Sequence, residues 1–263
     1  MGRGHRDSSA SSDAKRAWKA APWRCFQAGN SGRAKRSSAR WTAAPGSAGP
    51  VNLGVGRTAT AVTAGYNHTC ALLDDGTVTR IGEQDFRLTA AEPQYRWLSM
   101  NAVGMQVQIT ELTERMAALS LQGPKSRTIL NLACEQPVDS LRYFRMAFNR
   151  VAGKAVSVSR TGYTGDLGYE IWMDAADALV IWDALMTAGH DYGITPTGIL
   201  AMDMARVEAG LFMLDVDYTS ASHAWIPGQR SSPYEMGLGW TVNLDKQGYF
   251  VGRRALEREH REG

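Results

Sequence analysis

The segment 159–173, SRTGYTGDLGYEIWM, combines residue types that could bind a flat, polar small molecule. Tyr163 and Tyr169 offer aromatic ring faces, and Glu170 offers a carboxylate that can accept hydrogen bonds from ring N–H donors. Glycine lets the backbone turn tightly and lets a ligand approach it closely. The segment contains three glycines, Gly162, Gly165 and Gly168. Together these residues predict a small-molecule site in a tight strand-turn-strand unit.

The same segment also fits a glycine-bent hairpin whose tyrosines only pack against the protein. Isolated glycines within strands often mark bends rather than ligand sites. A dinucleotide-binding loop does not fit, because these glycines are predicted to lie between strands and open no helix. A small-molecule site and a packed hairpin are therefore the two interpretations of this segment.

A second segment, 197–211 (TGILAMDMARVEAGL), predicts a helix that ends near Gly210. Spacings of three and four residues place both Asp203 and Met202 beside Arg206 on one side of this helix. Arg206 could brace a binding site from there. It could also pair with Asp203 on a solvated face, where such a pair contributes only about 0.3 to 0.5 kcal/mol.

Hydrophobic periodicity predicts both strands and helices in the body of the chain. Turn chemistry at 82–85 predicts a hairpin between strands 77–81 and 86–89. Further strands are expected at 105–109, 116–121, 143–148 and 155–160, and further helices at 91–103 and 175–188. We therefore expect the α+β fold class, with antiparallel sheets and packed helices.

The composition is that of a globular protein, with 263 residues of which 44% are hydrophobic and 21% charged. No apolar stretch is long enough to span a bilayer, and the first residues lack the apolar middle of a secretory signal, so we expect a cytoplasmic protein. The three cysteines, Cys25, Cys70 and Cys134, are widely spaced. They indicate neither a disulfide framework nor a metal site.

Charge is unevenly distributed along the chain. Residues 1–50 hold ten Lys/Arg and two Asp, whereas the remainder holds more acidic than basic residues. A basic segment rich in Ser, Ala and Gly could contact nucleic acid or act as an organelle transit peptide. It has few long aliphatic residues to bury, so we predict that residues 1–50 form a disordered basic head and that nucleic acid is not a partner.

Residues 51–71 differ in character from both the head and the body. The stretch 56–78, GRTATAVTAGYNHTCALLDDGTV, resembles one repeat of the β-propeller found in regulators of chromosome condensation. One repeat cannot bury its own face, and no second copy is present. We therefore expect 51–71 to be a propeller-repeat-like segment, joined to the body at LLDDGTV in a chimeric reading frame.

From residue 72 to about 262 the chain resembles the aminomethyltransferase family, the T-protein of the glycine cleavage system. The resemblance rests on ordered motifs, which are LLDD, LQGPKSR, SRTGYTGDLGYE, AMDMARVEAG, PYEMGLGW and FVGRRAL. It implies a T-protein-like folate-binding domain over 72–263. The family's leading segment and terminal β-barrel are not among the matched motifs, so we expect a domain that is incomplete at both ends.

The resemblance also implies a function. T-proteins take an aminomethyl group from a lipoylated carrier, the H-protein, release ammonia and pass the one-carbon unit to tetrahydrofolate. It assigns the catalytic carboxylate to Asp75 and folate contacts to four residues, Glu170, Tyr163, Tyr143 and Arg206. Asp75 could alternatively be the first residue of an ordinary Asp-Gly turn.

One position departs from the family pattern, because Met202 stands where the family helix often has an arginine that contacts the ligand. Methionine cannot supply that donor, and Arg206 matches a later family arginine that fits an internal brace. Relatives that demethylate sarcosine or dimethylglycine onto folate also vary here, so a demethylase is an alternative. A truncated, non-catalytic folate-binding module is another.

Overall fold

A computed structural model describes residues 37–43, 59–62, 70–73, 76–90, 94–220, 223–246 and 249–262. Side chains are described within these ranges from residue 77 onward. The described residues form two antiparallel sheets with helices packed on one of them. The predicted α+β class is therefore confirmed.

The first sheet has six strands in the order β2-β3-β4-β5-β1-β6, and all of its pairs are antiparallel. The strands are β1 (Ser37–Ala43), β2 (Ala59–Val62), β3 (Cys70–Leu73), β4 (Gly76–Arg80), β5 (Asp85–Ala90) and β6 (Val107–Glu111). The predicted hairpin is β4 and β5, closed by a hydrogen bond of 2.8 Å from Ile81 N to Asp85 O. Its turn chemistry made this hairpin predictable.

Strand β1 comes from the basic head that we expected to be disordered. It pairs with β5 on one side and with β6 on the other, so it lies inside the sheet. Composition could not predict this strand, because the strand is held by backbone pairing with distant parts of the chain. The division of the chain at residues 50 and 71 stays a prediction.

The second sheet has four strands in the order β7-β10-β9-β8. They are β7 (Met116–Gln122), β8 (Met146–Val151), β9 (Lys154–Ser159) and β10 (Gly168–Asp174). Strand β8 begins three residues after the predicted start at 143. Phe144 has φ of 56°, a left-handed conformation that interrupts a regular strand.

The described residues contain five α-helices, α1 (Tyr95–Asn101), α2 (Ser126–Ala133), α3 (Ala178–Gly189), α4 (Ile199–Glu208) and α5 (Arg253–Glu262). Gly123, with φ of 113°, marks the turn from β7 toward α2, and Gly210, with φ of 70°, follows α4. Both positive φ values suit glycine. None of the described helices is long and apolar enough to cross a membrane.

The main core lies between the four-stranded sheet and helices α2 and α3. Leu130 of α2 and Ile181 of α3 are fully buried against Ile171 and Tyr169 of β10. Because side chains alternate along a strand, the residues between these on β10 point to the opposite face of the sheet. That opposite face carries Glu170 and Trp172 and leads to the candidate site.

Candidate functional site

Glu170 lies on the face of the four-stranded sheet that is turned away from helices α2 and α3. Its neighbour on the same face is Trp172, whose ring lies 4.7 Å from the guanidinium carbon of Arg87. Arg87 belongs to β5 of the other sheet and also donates a hydrogen bond of 3.1 Å to Ser157 Oγ on β9. The face that carries Glu170 is therefore turned toward the six-stranded sheet.

Small polar residues flank Glu170 on both neighbouring strands. The register pairs it with Ser120 of β7 and Ser159 of β9. Thr161, just beyond the end of β9, donates a hydrogen bond of 2.8 Å from Oγ1 to Glu170 Oε2. Because the Glu170 carboxylate is only half-buried, it can still accept N–H donors.

Tyr163 is half-buried in the loop between β9 and β10. Its hydroxyl donates a hydrogen bond to the Phe212 carbonyl, which follows helix α4. Burial raises the pKa of Tyr163 to about 12; Arg206 opposes this shift, and Asp217 and Asp203 add to it. The phenol therefore stays neutral at ordinary pH and ties the glycine-rich loop to the segment after α4.

Arg206 is buried and 3% exposed. It donates to Asp203 Oδ1 at 2.7 Å, to the Leu211 carbonyl at 3.1 Å and to Asp217 Oδ2. Asp217 also accepts from the Met213 backbone N–H at 2.7 Å. A cation enclosed in this way braces the segment after α4, so of the two predicted roles the brace is the one that the contacts support, with a buried guanidinium held by two partly exposed carboxylates.

Tyr143 is 60% exposed and precedes strand β8. Its ring lies 4.2 Å from that of Phe144, with 59° between the ring planes. The Phe144 N–H donates to the Arg160 carbonyl at 3.1 Å, next to Thr161 in the chain. Tyr143 is thus connected through the backbone to the Thr161 end of β9, with an exposed ring face.

Gln122 is a residue of this site that the sequence analysis did not identify. A Cβ added at Gly162 or at Gly168 would lie 2.1 Å or 1.7 Å from Gln122 Oε1. The Gln122 amide donates to Ser120 Oγ at 2.9 Å and to the Thr161 carbonyl at 3.5 Å, and it accepts from Thr164 Oγ1 at 3.2 Å. The two glycines thus make room for Gln122.

The third glycine of the loop has a different neighbour. Gly165 has φ of 76°, and a Cβ there would lie 2.6 Å from the Cβ of Ala209, at the end of α4. Close approach and a left-handed backbone both require glycine at this position. Packed-hairpin contacts therefore account for all three glycines, while the carboxylate of Glu170 still lies beside small polar residues.

The structure brings Glu170, Tyr163 and Arg206 into one region through the glycine-rich loop and the segment after α4. Asp75 lies outside the described residues, so its catalytic role stays a prediction. Two buried polar residues on the facing strands, Arg87 and Ser157, were also missed by the sequence analysis. The only sequence signal for Arg87 was a cation between two large apolar residues, Phe86 and Leu88, in the strand DFRLTA.

The GCVT N-terminal domain family matches residues 47–246 of the chain. The matched range begins before residue 72 and includes the propeller-like segment, whose origin stays a prediction. Among the described residues, no group of three or more His, Cys, Asp or Glu side chains could hold a metal ion.

Several curated relatives are similar to this chain. An aminomethyltransferase of Halothermothrix orenii is 34% identical over 196 residues, which is 73% of this chain and 52% of that protein. An aminomethyltransferase of Shouchella clausii is 34% identical over 209 residues, covering 76% of this chain and 54% of that protein. A trimethylamine-oxide aldolase of Ruegeria pomeroyi is 38% identical over 199 residues, covering 71% of this chain and 24% of that protein. The chain spans about half the length of the aminomethyltransferases it matches.

A solved structure shares the fold. The glycine cleavage system aminomethyltransferase T of Bartonella henselae aligns with a TM-score of 0.64 and 21% identity, covering 88% of this chain and 62% of that one. At this identity the likeness concerns the fold, which has the same arrangement of antiparallel sheets and helices.

Proposed function

Because the chain belongs to the GCVT N-terminal domain family, we propose that it acts as a tetrahydrofolate-dependent aminomethyltransferase of the glycine cleavage type. In the proposed reaction the lipoylated H-protein presents an aminomethyl group, the carbon passes to tetrahydrofolate and ammonia is released. The aminomethyltransferases among its relatives support this assignment. A cytoplasmic location belongs to the same proposal.

The observation that carries the proposal is the position of Glu170. Its carboxylate lies on the face between the two sheets, and Oε2 is held by Thr161. Within the described residues the Glu170 carboxylate has no other hydrogen bond, so Oε1 is available for a ligand. A pterin ring carries N–H donors at one edge, and a fixed carboxylate is a suitable acceptor for them.

The other predicted site residues have distinct roles in this proposal. Tyr163 and Tyr143 offer ring faces beside the folate, and Arg206 holds the segment that carries the Tyr163 anchor. Asp75 would orient the reacting amine of tetrahydrofolate and accept its proton, as a positioned carboxylate can do. These roles follow from the resemblance and from the positions of the described residues.

Binding of tetrahydrofolate tests the proposal directly. Trp172 lies on the same face as Glu170, so we would titrate the purified chain with tetrahydrofolate and follow tryptophan fluorescence. Saturable binding that weakens at least tenfold in Glu170→Ala is expected, because loss of hydrogen bonds to a charged acceptor costs about 1.5 to 3 kcal/mol. Glu135→Ala, which removes an exposed carboxylate, is the matched control and should bind as the wild type does.

Catalysis needs a second measurement. Incubation with aminomethylated H-protein and tetrahydrofolate should release ammonia, and Asp75→Asn should abolish the release without abolishing folate binding. Binding with neither ammonia release nor turnover of a methylated donor would instead identify a non-catalytic folate-binding module. Absence of any affinity for reduced folate would refute the proposal.

A folate-dependent demethylase is the second candidate function. Met202 replaces the arginine that the family often has on this helix, and one relative is a trimethylamine-oxide aldolase. Turnover of sarcosine or dimethylglycine, with no ammonia release from the aminomethylated carrier, would favour the demethylase.

A further inference from the structure

Glu170 is the last member of a short chain of hydroxyl contacts. Ser159 Oγ and Thr161 Oγ1 lie 2.8 Å apart, and Thr161 Oγ1 lies 2.8 Å from Glu170 Oε2. Ser159 is 4% exposed and Thr161 is 5% exposed, so both hydroxyls are shielded from solvent. Their hydrogen bonds must therefore be made to one another and to Glu170.

The direction of these hydrogen bonds follows from the number of hydrogens. An ionised carboxylate only accepts hydrogen bonds, so Thr161 must donate its single hydroxyl hydrogen to Glu170. The contact between Ser159 and Thr161 can then be donated only by Ser159. The order of donation is Ser159 to Thr161 to Glu170, and each bond aligns the next group.

The backbone holds the three residues of this chain in place. Ser159 stands opposite Glu170 in the pairing of β9 and β10, so the first and last members lie on neighbouring strands. Thr161 is connected on its other side to Gln122, whose amide donates to the Thr161 carbonyl at 3.5 Å. Both the side chain and the backbone of Thr161 are therefore held.

We infer that Thr161 is a positioning residue, which together with Ser159 fixes the Glu170 carboxylate so that Oε1 accepts the N–H donors of a bound pterin. This inference rests on the proposed function. Oε2 receives the Thr161 hydrogen, which stops the carboxylate from rotating and leaves one oxygen for the ligand. Preorganisation of this kind strengthens binding because the acceptor need not be ordered when the ligand arrives.

A double-mutant cycle tests the inference, with the affinity for tetrahydrofolate as the readout. Thr161→Val keeps the shape of the side chain and removes the donor, so binding should weaken about five- to twentyfold. Thr161→Ser keeps the donor and should bind within about twofold of the wild type. Thr187→Val, which removes an exposed hydroxyl from α3, is the matched control and should leave affinity unchanged.

The Glu170→Ala background separates positioning from stability. A residue that acts only through Glu170 has nothing to orient once the carboxylate is gone, so Thr161→Val should cause no further loss of affinity there. A merely structural role would weaken binding equally in both backgrounds, and that result would overturn the inference. Ser159→Ala provides an independent variant, with an expected loss of about two- to fivefold that also disappears in Glu170→Ala.

Failure of the inference can be told apart from failure of the proposed function. If the wild type binds tetrahydrofolate and Glu170→Ala weakens binding, but Thr161→Val and Ser159→Ala bind normally, only the positioning role is wrong. If the wild type has no affinity for tetrahydrofolate, the proposed function fails and the positioning role fails with it.

Discussion

The side-chain amide of Gln122 occupies the space that a side chain at Gly168 would need. A Cβ at Gly168 would lie 1.7 Å from Gln122 Oε1, far closer than two such atoms can approach. The two residues stand opposite each other in the pairing of β7 and β10. With the Gln122 side chain in this position there is no room for a Cβ at residue 168, at the start of the strand that carries Glu170.

Gly168→Ala should destabilise the chain by about 1 to 3 kcal/mol, because the Gln122 amide must leave its hydrogen bonds to make room. Urea unfolding measures the change. In a Gln122→Ala background the same substitution should cost almost nothing, since the clash is absent. Gly228→Ala is the control, because a Cβ there meets no atom within 4 Å; an equal cost of Gly168→Ala in both backgrounds would contradict the assignment.

Local patterns in the sequence predicted several elements and the identity of the family. The hairpin of β4 and β5 follows from its turn residues, and the helix that ends near Gly210 follows from its hydrophobic periodicity. The resemblance to the aminomethyltransferase family is confirmed by the family match over residues 47–246. These features depend on neighbours in sequence or on ordered motifs, which are visible without coordinates.

Features that depend on distant pairing could not be predicted in this way. The sequence left the glycines at 162 and 168 open between a ligand site and a packed hairpin. The register of β7 with β10 decides for packing, because it places the Gln122 side chain beside both glycines. Strand β1 was not predicted within the basic segment, because its partners, β5 and β6, lie far along the chain. Arg87 was missed because a cation in a strand is usually solvated.

Arg206→Met should destabilise the chain by about 3 kcal/mol, because it leaves two carboxylates without the cation that they surround. Arg206 is buried and donates to both Asp203 and Asp217. Lys154→Met is the control, since Lys154 is 44% exposed and pairs with Asp177 at 2.8 Å. That exposed pair should contribute less than about 1 kcal/mol. Comparable urea midpoints for the two variants would show that Arg206 is no internal brace.

Arg87→Ala should lower the stability by about 2 to 4 kcal/mol, because Arg87 connects the two sheets through Ser157 and the Trp172 ring. The emission of Trp172 should change as well, since a cation no longer lies over its ring. Arg142→Ala removes an exposed arginine and should leave both stability and emission unchanged. Unaltered stability in Arg87→Ala would mean that other contacts hold the sheets together.

Tyr163 should make the stability depend on pH in the alkaline range. The ordinary tyrosine pKa is 10.0, and burial raises the pKa of folded Tyr163 to about 12. Between these values the folded chain keeps a proton that the unfolded chain has released, so the free energy of unfolding falls as pH rises. Below pH 10 both states are protonated, and the contribution is fully present.

Urea midpoints at pH 8 and at about pH 11 measure this dependence. Tyr163→Phe should be less stable than the wild type by about 1 kcal/mol at pH 8, because the hydrogen bond to the Phe212 carbonyl is lost. It should then lose less stability than the wild type on going to the higher pH, since phenylalanine has no proton to release. Tyr192→Phe, at a 41% exposed position, should follow the wild type. Parallel pH dependence in Tyr163→Phe and the wild type would show that the Tyr163 hydroxyl is not held in the folded chain, and the anchor between the glycine-rich loop and the segment after α4 would have to be abandoned.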